Sequence, residues 1–172
     1  MGRTVLQPAS LLAFLLLWAP PIRSADQTAA IRDAAVAMQR GDFPSAEKLL
    51  RAEVQAHSDD PWALSLLGVA LDNQKKIPEA DEFHRRAVAK APRSAEILNN
   101  YGTHLWSAGQ YDKAETLFTS ALAAAPAYFT ALFNLGVMAT YTGHYERARE
   151  VLETALSQQP QNVDVLYRLA CV

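Results

Sequence analysis

Gly68, Gly102 and Gly136 stand 34 residues apart, and Ala80, Ala114 and Ala148, then Ala87, Ala121 and Ala155, then Pro92, Pro126 and Pro160 keep the same interval. Four columns with one period restrict the chain to an array of stacked units, because a unit of this size leaves an apolar face that only the next unit can cover. Function in such a chain is expected on a repeated surface rather than in a single catalytic pocket.

Three full units span residues 61–94, 95–128 and 129–162, with large side chains at the fourth and seventh places: Leu64 and Leu67, Leu98 and Tyr101, Leu132 and Leu135. Apolar residues recur near a helical period, as in Leu64, Leu67 and Leu71 or Ala114, Leu117, Phe118, Ala121 and Leu122, and no stretch sustains alternation of period two. Glycine and alanine at facing places let two helices approach closely, since a larger side chain would overfill the core. Gly41, Gly109 and Gly143 fall just past a first helix, where a positive φ commonly ends it, and Asp60 with Pro61 reads as a capping carboxylate before a first-turn proline. On one second helix, Asp81 with Arg85 and Glu82 with Arg86 are spaced as i,i+4 pairs.

With Gly at the eighth place, Ala at the twentieth and twenty-seventh and Pro at the thirty-second, the unit resembles the tetratricopeptide repeat (TPR) family. The resemblance implies an all-α, right-handed α-solenoid of helix–turn–helix units over residues 25–172. Residues 27–60 form a divergent first unit, with Gly41, Ala46 and Leu50 in place but Ala34 for the glycine and Ser58 for the proline. Residues 163–172 begin a further first helix, where Val165, Leu166 and Leu169 continue the stacking pattern. That edge is expected to be covered by more repeats, a second copy of the chain or another protein.

Residues 1–24 are of another kind. Arg3 precedes the apolar run Leu11 to Trp18, which Pro20 and Pro21 break before Ile22, Arg23 and Ser24. This is the layout of a secretory signal peptide, with cleavage expected after Ser24 and an uncleaved membrane anchor as the alternative. The mature chain, beginning at Ala25, is then periplasmic or secreted. Its single cysteine, Cys171, has no partner within the chain for a disulfide.

Half of the residues are apolar and the net charge is −2, moving to about −4 when Arg3 and Arg23 leave with the signal, so no basic excess invites nucleic acid. Arg85, Arg86, Lys90 and Arg93 form the densest positive cluster, but acidic neighbours make it a solvated helix face. The histidines are scattered: His84 occupies the place of Phe118 and Leu152 and is expected in the core, His57 and His144 fall near helix ends, and His104 alone lies on a first helix. No Cys, Asp or Glu stands three or four residues from His104, so no metal site, cofactor or catalytic apparatus is expected.

What remains is protein binding, and the resemblance implies where. First helices line the concave face, presenting Trp62, Val69, Asn73, Asn99, Thr103, Trp106, Phe133, Val137 and Tyr141 among the inward places. None of the inward places carries lysine or arginine, so the basic clamp with which some TPR domains grip a terminal carboxylate is absent. Trp62, Trp106, Phe133 and Tyr141, interspersed with amide and hydroxyl groups, suit an apolar or aromatic segment of another exported protein.

Overall fold

The computed structural model describes residues 29–172; the expected signal segment lies outside the described residues. These residues form α1 (Ala29–Gln39), α2 (Phe43–Ala56), α3 (Pro61–Asn73), α4 (Ile77–Lys90), α5 (Ala95–Ser107), α6 (Tyr111–Ala124), α7 (Phe129–Tyr141), α8 (Tyr145–Gln158) and α9 (Val163–Leu169). No strand occurs among them, and no helix is long and apolar enough to cross a membrane. Helices pair as α1/α2, α3/α4, α5/α6 and α7/α8, and each second helix also packs on the next first helix. First helices α1, α3, α5 and α7 lie side by side in sequence order, forming one continuous layer of an α-solenoid.

The glycine column sets how closely each pair packs. A methyl group on Gly68 would stand 2.8 Å from the His84 ring, one on Gly102 2.7 Å from the Phe118 ring, and one on Gly136 2.5 Å from Leu152 Cγ. The residue at the twenty-fourth place therefore sits directly on the glycine of its own unit, fully buried in all three cases. Ala34, in the first unit, fills the same column and is itself buried.

Each pair closes through the same turn. Asp42, Lys76, Gln110 and His144 donate backbone N–H bonds of 2.8–3.0 Å to Ala37, Leu71, Leu105 and Ala139, five residues back, which is the outer bond of a Schellman motif. The residue before each donor is left-handed: Gly41, Gly109 and Gly143 at φ 74–81°, and Lys75 at φ 63°. Only Lys75 carries a Cβ there. At the N-termini, Asp60 accepts from Trp62 and Ala63 at 2.7 and 3.0 Å, and Asn162 caps α9 from the corresponding place. The expected Asp81–Arg85 pair forms at 2.9 Å. Glu82 pairs with Arg85 rather than Arg86, because Arg86 reaches across to the Ser58 carbonyl and lies over the Phe83 ring.

Between the first and second units the contact is partly ionic. Glu47 on α2 accepts from Lys76 Nζ and Gln74 Nε2, both at 2.7 Å, and from Arg51 Nε at 2.9 Å, while Arg51 also reaches Glu79. Burial pushes the Glu47 carboxyl up, but the donors from Lys76, Arg51 and Gln74 outweigh it and hold the group at about 2, against an ordinary 4.5. A carboxyl lowered on folding stabilises the fold above its unfolded pKa and loses that contribution as pH falls.

Gly102→Ala is expected to cost about 1–3 kcal/mol in urea denaturation, since the fully buried Phe118 ring has no free direction in which to move. For Glu47→Gln, the stability gap to the parent should be full at neutral pH and close as pH falls from about 4.5 to about 2. Paired thermal melts across that window measure it, and a gap independent of pH would show that the carboxylate charge does not act through this network.

Candidate functional site

The first-helix layer holds the residues expected to face a partner, and it holds them at different depths. Trp62, Val69, Trp106, Phe133 and Val137 are between 5 and 8% exposed, so their side chains are largely sunk rather than projecting. Trp62 belongs to the cluster of Ile31, Ala34 and Leu66, bridging to the preceding unit, and Trp106 and Phe133 share a second cluster with Leu105 and Val137. Asn73 and Thr103 are half-buried, and Tyr141, 59% exposed, stands at the end of α7 with its ring 5.7 Å from that of Tyr111.

Polar groups of this layer are tied to one another across units. Asn100 Nδ2 donates to Ser65 Oγ at 3.0 Å, and Asn134 Nδ2 donates to Asn99 Oδ1 at 3.0 Å, so the fifth place of one unit meets the sixth of the next, twice. Thr103 donates to the Asn99 carbonyl, and Asn73 to the Val69 carbonyl. The layer thus combines a nearly closed apolar floor with an asparagine ladder. Asn100 and Asn134 were not among the expected site residues, although both occupy the sixth place of their units.

A second constellation lies where the second unit meets the third. Asp72 at the end of α3 accepts from His84 Nε2 on α4 at 2.9 Å and from His104 Nδ1 on α5 at 2.6 Å. His104 Nε2 faces Asp81 Oδ1 at 3.6 Å, and Tyr101 donates its hydroxyl to that oxygen at 3.0 Å. Burial pushes the Asp72 carboxyl up, but its bonds from His104 and His84 prevail and hold it below its ordinary value. Burial pushes His84 down despite Asp72, leaving a neutral ring, and burial with the Asp81 bond pushes Tyr101 up to about 12. The Nδ1 atom of His84 is buried without a hydrogen-bond partner.

The corresponding positions at the next junction are Trp106, Phe118, Met138 and Leu135, and at the preceding one Met38, Leu50, Ala70 and Leu67. Asp72, His84, His104 and Tyr101 therefore replace an otherwise apolar layer at one junction only. A search for partners three or four residues from His104 misses this group because its members come from three helices. Reading each column of the repeat across neighbouring units reveals it, since four polar substitutions coincide.

Helix pairs of 34-residue period, each closed on a glycine and layered by their first helices, define a helical-repeat protein of the kind that serves protein–protein interaction. The chain belongs to the tetratricopeptide-repeat-like family: residues 71–171 match the cilia and flagella-associated protein 70 middle TPR-like domain, and residues 34–95 match the tetratricopeptide repeat. Among curated proteins it is 32% identical over 76 residues to the type IV pilus assembly protein PilF of Pseudomonas aeruginosa, a match covering 44% of this chain and 30% of that protein. A solved Pseudomonas aeruginosa PilF structure superposes with a TM-score of 0.77 at 26% identity, covering 83% of this chain and 65% of that one. The chain thus spans less than two thirds of either relative.

Two further solved structures share the fold. YrrB, described as a TPR protein with an unusual peptide-binding site, matches at a TM-score of 0.67 and 22% identity over 80% of this chain and 71% of its own. A Thermobaculum terrenum O-GlcNAc transferase matches at 0.70 and 27% identity over 76% of this chain and 25% of the enzyme.

Because Trp106 and Phe133 lie in the core, alanine at either position is expected to cost about 3–5 kcal/mol. Urea denaturation of the two single variants checks this, and losses under about 1 kcal/mol would mean that the rings stabilise the layer little.

Proposed function

We propose that this chain is a docking module of an exported assembly, holding an extended or helical segment of another exported protein on its first-helix face. The observation that carries the reading is the character of that face: an apolar floor of Trp62, Val69, Trp106, Phe133 and Val137, edged by Asn73, Thr103 and the exposed Tyr141. An apolar or aromatic segment would rest on the floor, and edge amides and hydroxyls would meet its backbone. The absence of lysine and arginine from the inward places disfavours a terminal carboxylate as the feature recognised.

Export is supported by the charged, apolar and proline-broken layout of residues 1–24, with Ala25 as the mature start. The likeness to a type IV pilus assembly protein supports a role in assembling a larger apparatus. A second reading, in which the repeats are the targeting arm of a longer exported enzyme or membrane-bound assembly, is favoured by the match to a quarter of an O-GlcNAc transferase. Both readings place partner capture on the repeats and none of the chemistry.

The core position of Trp106 and Phe133 makes edge variants the cleaner probe. A Thr103→Ala/Tyr141→Ala double variant is expected to keep its far-ultraviolet circular dichroism and to lose about tenfold or more in capture of its partner from the exported fraction, equivalent to roughly 1.4 kcal/mol. Equal capture by parent and variant would remove this face from consideration. Amino-terminal sequencing of the protein recovered from producing cells should read from Ala25, and a chain that still begins at Met1 would leave the segment as an anchor.

A further inference from the structure

We propose that Asp72, His84 and His104 form a site for one divalent transition-metal ion, with zinc the best fit, that clamps the second repeat to the third. Each residue offers one donor atom, and the three donors lie within 4.8 Å of one another. Two donors on a tetrahedral zinc at 2.0–2.1 Å stand roughly 3.3 Å apart, so the Asp72–His104 and Asp72–His84 separations of 2.6 and 2.9 Å would open slightly as the ion enters between them. Two imidazole nitrogens and one carboxylate oxygen are a common zinc donor set, and the fourth position is left for water.

Two features separate this group from an ordinary buried hydrogen-bond network. The first is its isolation in the repeat: the same layer is apolar at the preceding and following junctions, so packing alone requires no polar group there. The second is the far side of His104. His104 bonds Asp72 through Nδ1 and turns its Nε2 toward Asp81 Oδ1, itself fixed by Tyr101. A metal on Nδ1 leaves the ring proton on Nε2, where Asp81 receives it, which is the carboxylate–histidine–metal arrangement that orients metal-bound imidazoles.

With the ion on His84 Nε2 and His104 Nδ1, the rings carry N–H at His84 Nδ1 and His104 Nε2, and the carboxylates of Asp72 and Asp81 balance the two positive charges. His84 Nδ1 lacks a partner in either tautomer, so the ion adds no unsatisfied group. Asp72 and Asp81 are the partly exposed members of the cluster and supply the path by which an ion enters.

The test uses the untagged full chain, freed of metal with a chelator and titrated with Co2+ and then Zn2+. One Co2+ per chain is expected, with visible absorption bands of a nitrogen- and oxygen-coordinated ion that Zn2+ abolishes. At a hundredfold excess over the dissociation constant, Zn2+ should raise the thermal midpoint by about 5–10 °C. His84→Phe/His104→Met, which installs the residues of the following junction, should keep the helical signal and lose both responses. Asp72→Asn, nearly isosteric, should weaken binding at least tenfold, and His57→Ala/His144→Ala should leave it unchanged. Absence of a one-to-one response in the parent, or its persistence in the His84→Phe/His104→Met variant, would overturn the site and leave a hydrogen-bonded network only.

Discussion

The fold depends on one contact made three times: the face of a glycine on a first helix against the side chain at the twenty-fourth place of its unit. His84, Phe118 and Leu152 differ in shape and polarity, yet each rests where a Cβ would intrude. That contact fixes the distance between paired helices, and hence the flatness of the surface on which the next unit lands. Because each unit touches only its neighbours, an error at this contact is carried to the two adjacent junctions and to no others.

The three junctions formed by α1 to α8 use different chemistry on the same frame. The first adds an ionic lattice around Glu47 to an apolar seam, the second replaces apolar side chains by Asp72, His84, His104 and Tyr101, and the third keeps those places apolar beside the Asn99–Asn134 bond. Asp81 and Arg85 occupy the places of Glu47 and Arg51, so one carboxylate position serves a charge lattice at one junction and the back of an imidazole at the next. In a one-dimensional array such variation makes the stack unequal along its length, with acid reaching the first junction through Glu47 and a metal ion, at the proposed site, the second.

Helix boundaries were legible in the sequence because they are local. The glycine before each turn, the Asp60 cap and the proline after it act within a few residues, and the structure has them where the spacing puts them. Lys75 was not legible as the fourth left-handed residue, since nothing in a lysine announces a positive φ; only its column does. Burial of the first-helix aromatics was not legible either. Trp62, Trp106 and Phe133 occupy inward places by periodicity, but how far a ring sinks depends on the spacing between neighbouring first helices, which no single unit encodes. The Asp72, His84 and His104 group escaped for the same reason, its members being 12 to 32 residues apart and joined only by stacking.

The asparagine ladder carries a geometric consequence. Its two rungs, Asn100 to Ser65 and Asn134 to Asn99, join equivalent places of successive first helices at the same 3.0 Å. Apolar packing tolerates sliding, whereas a directional bond of fixed length does not. Rungs repeated at one register therefore hold the second, third and fourth units at like rotations from one another, and that rotation bears on the pitch and radius of the superhelix. The ladder works as a gauge of curvature, setting how widely the inner face opens.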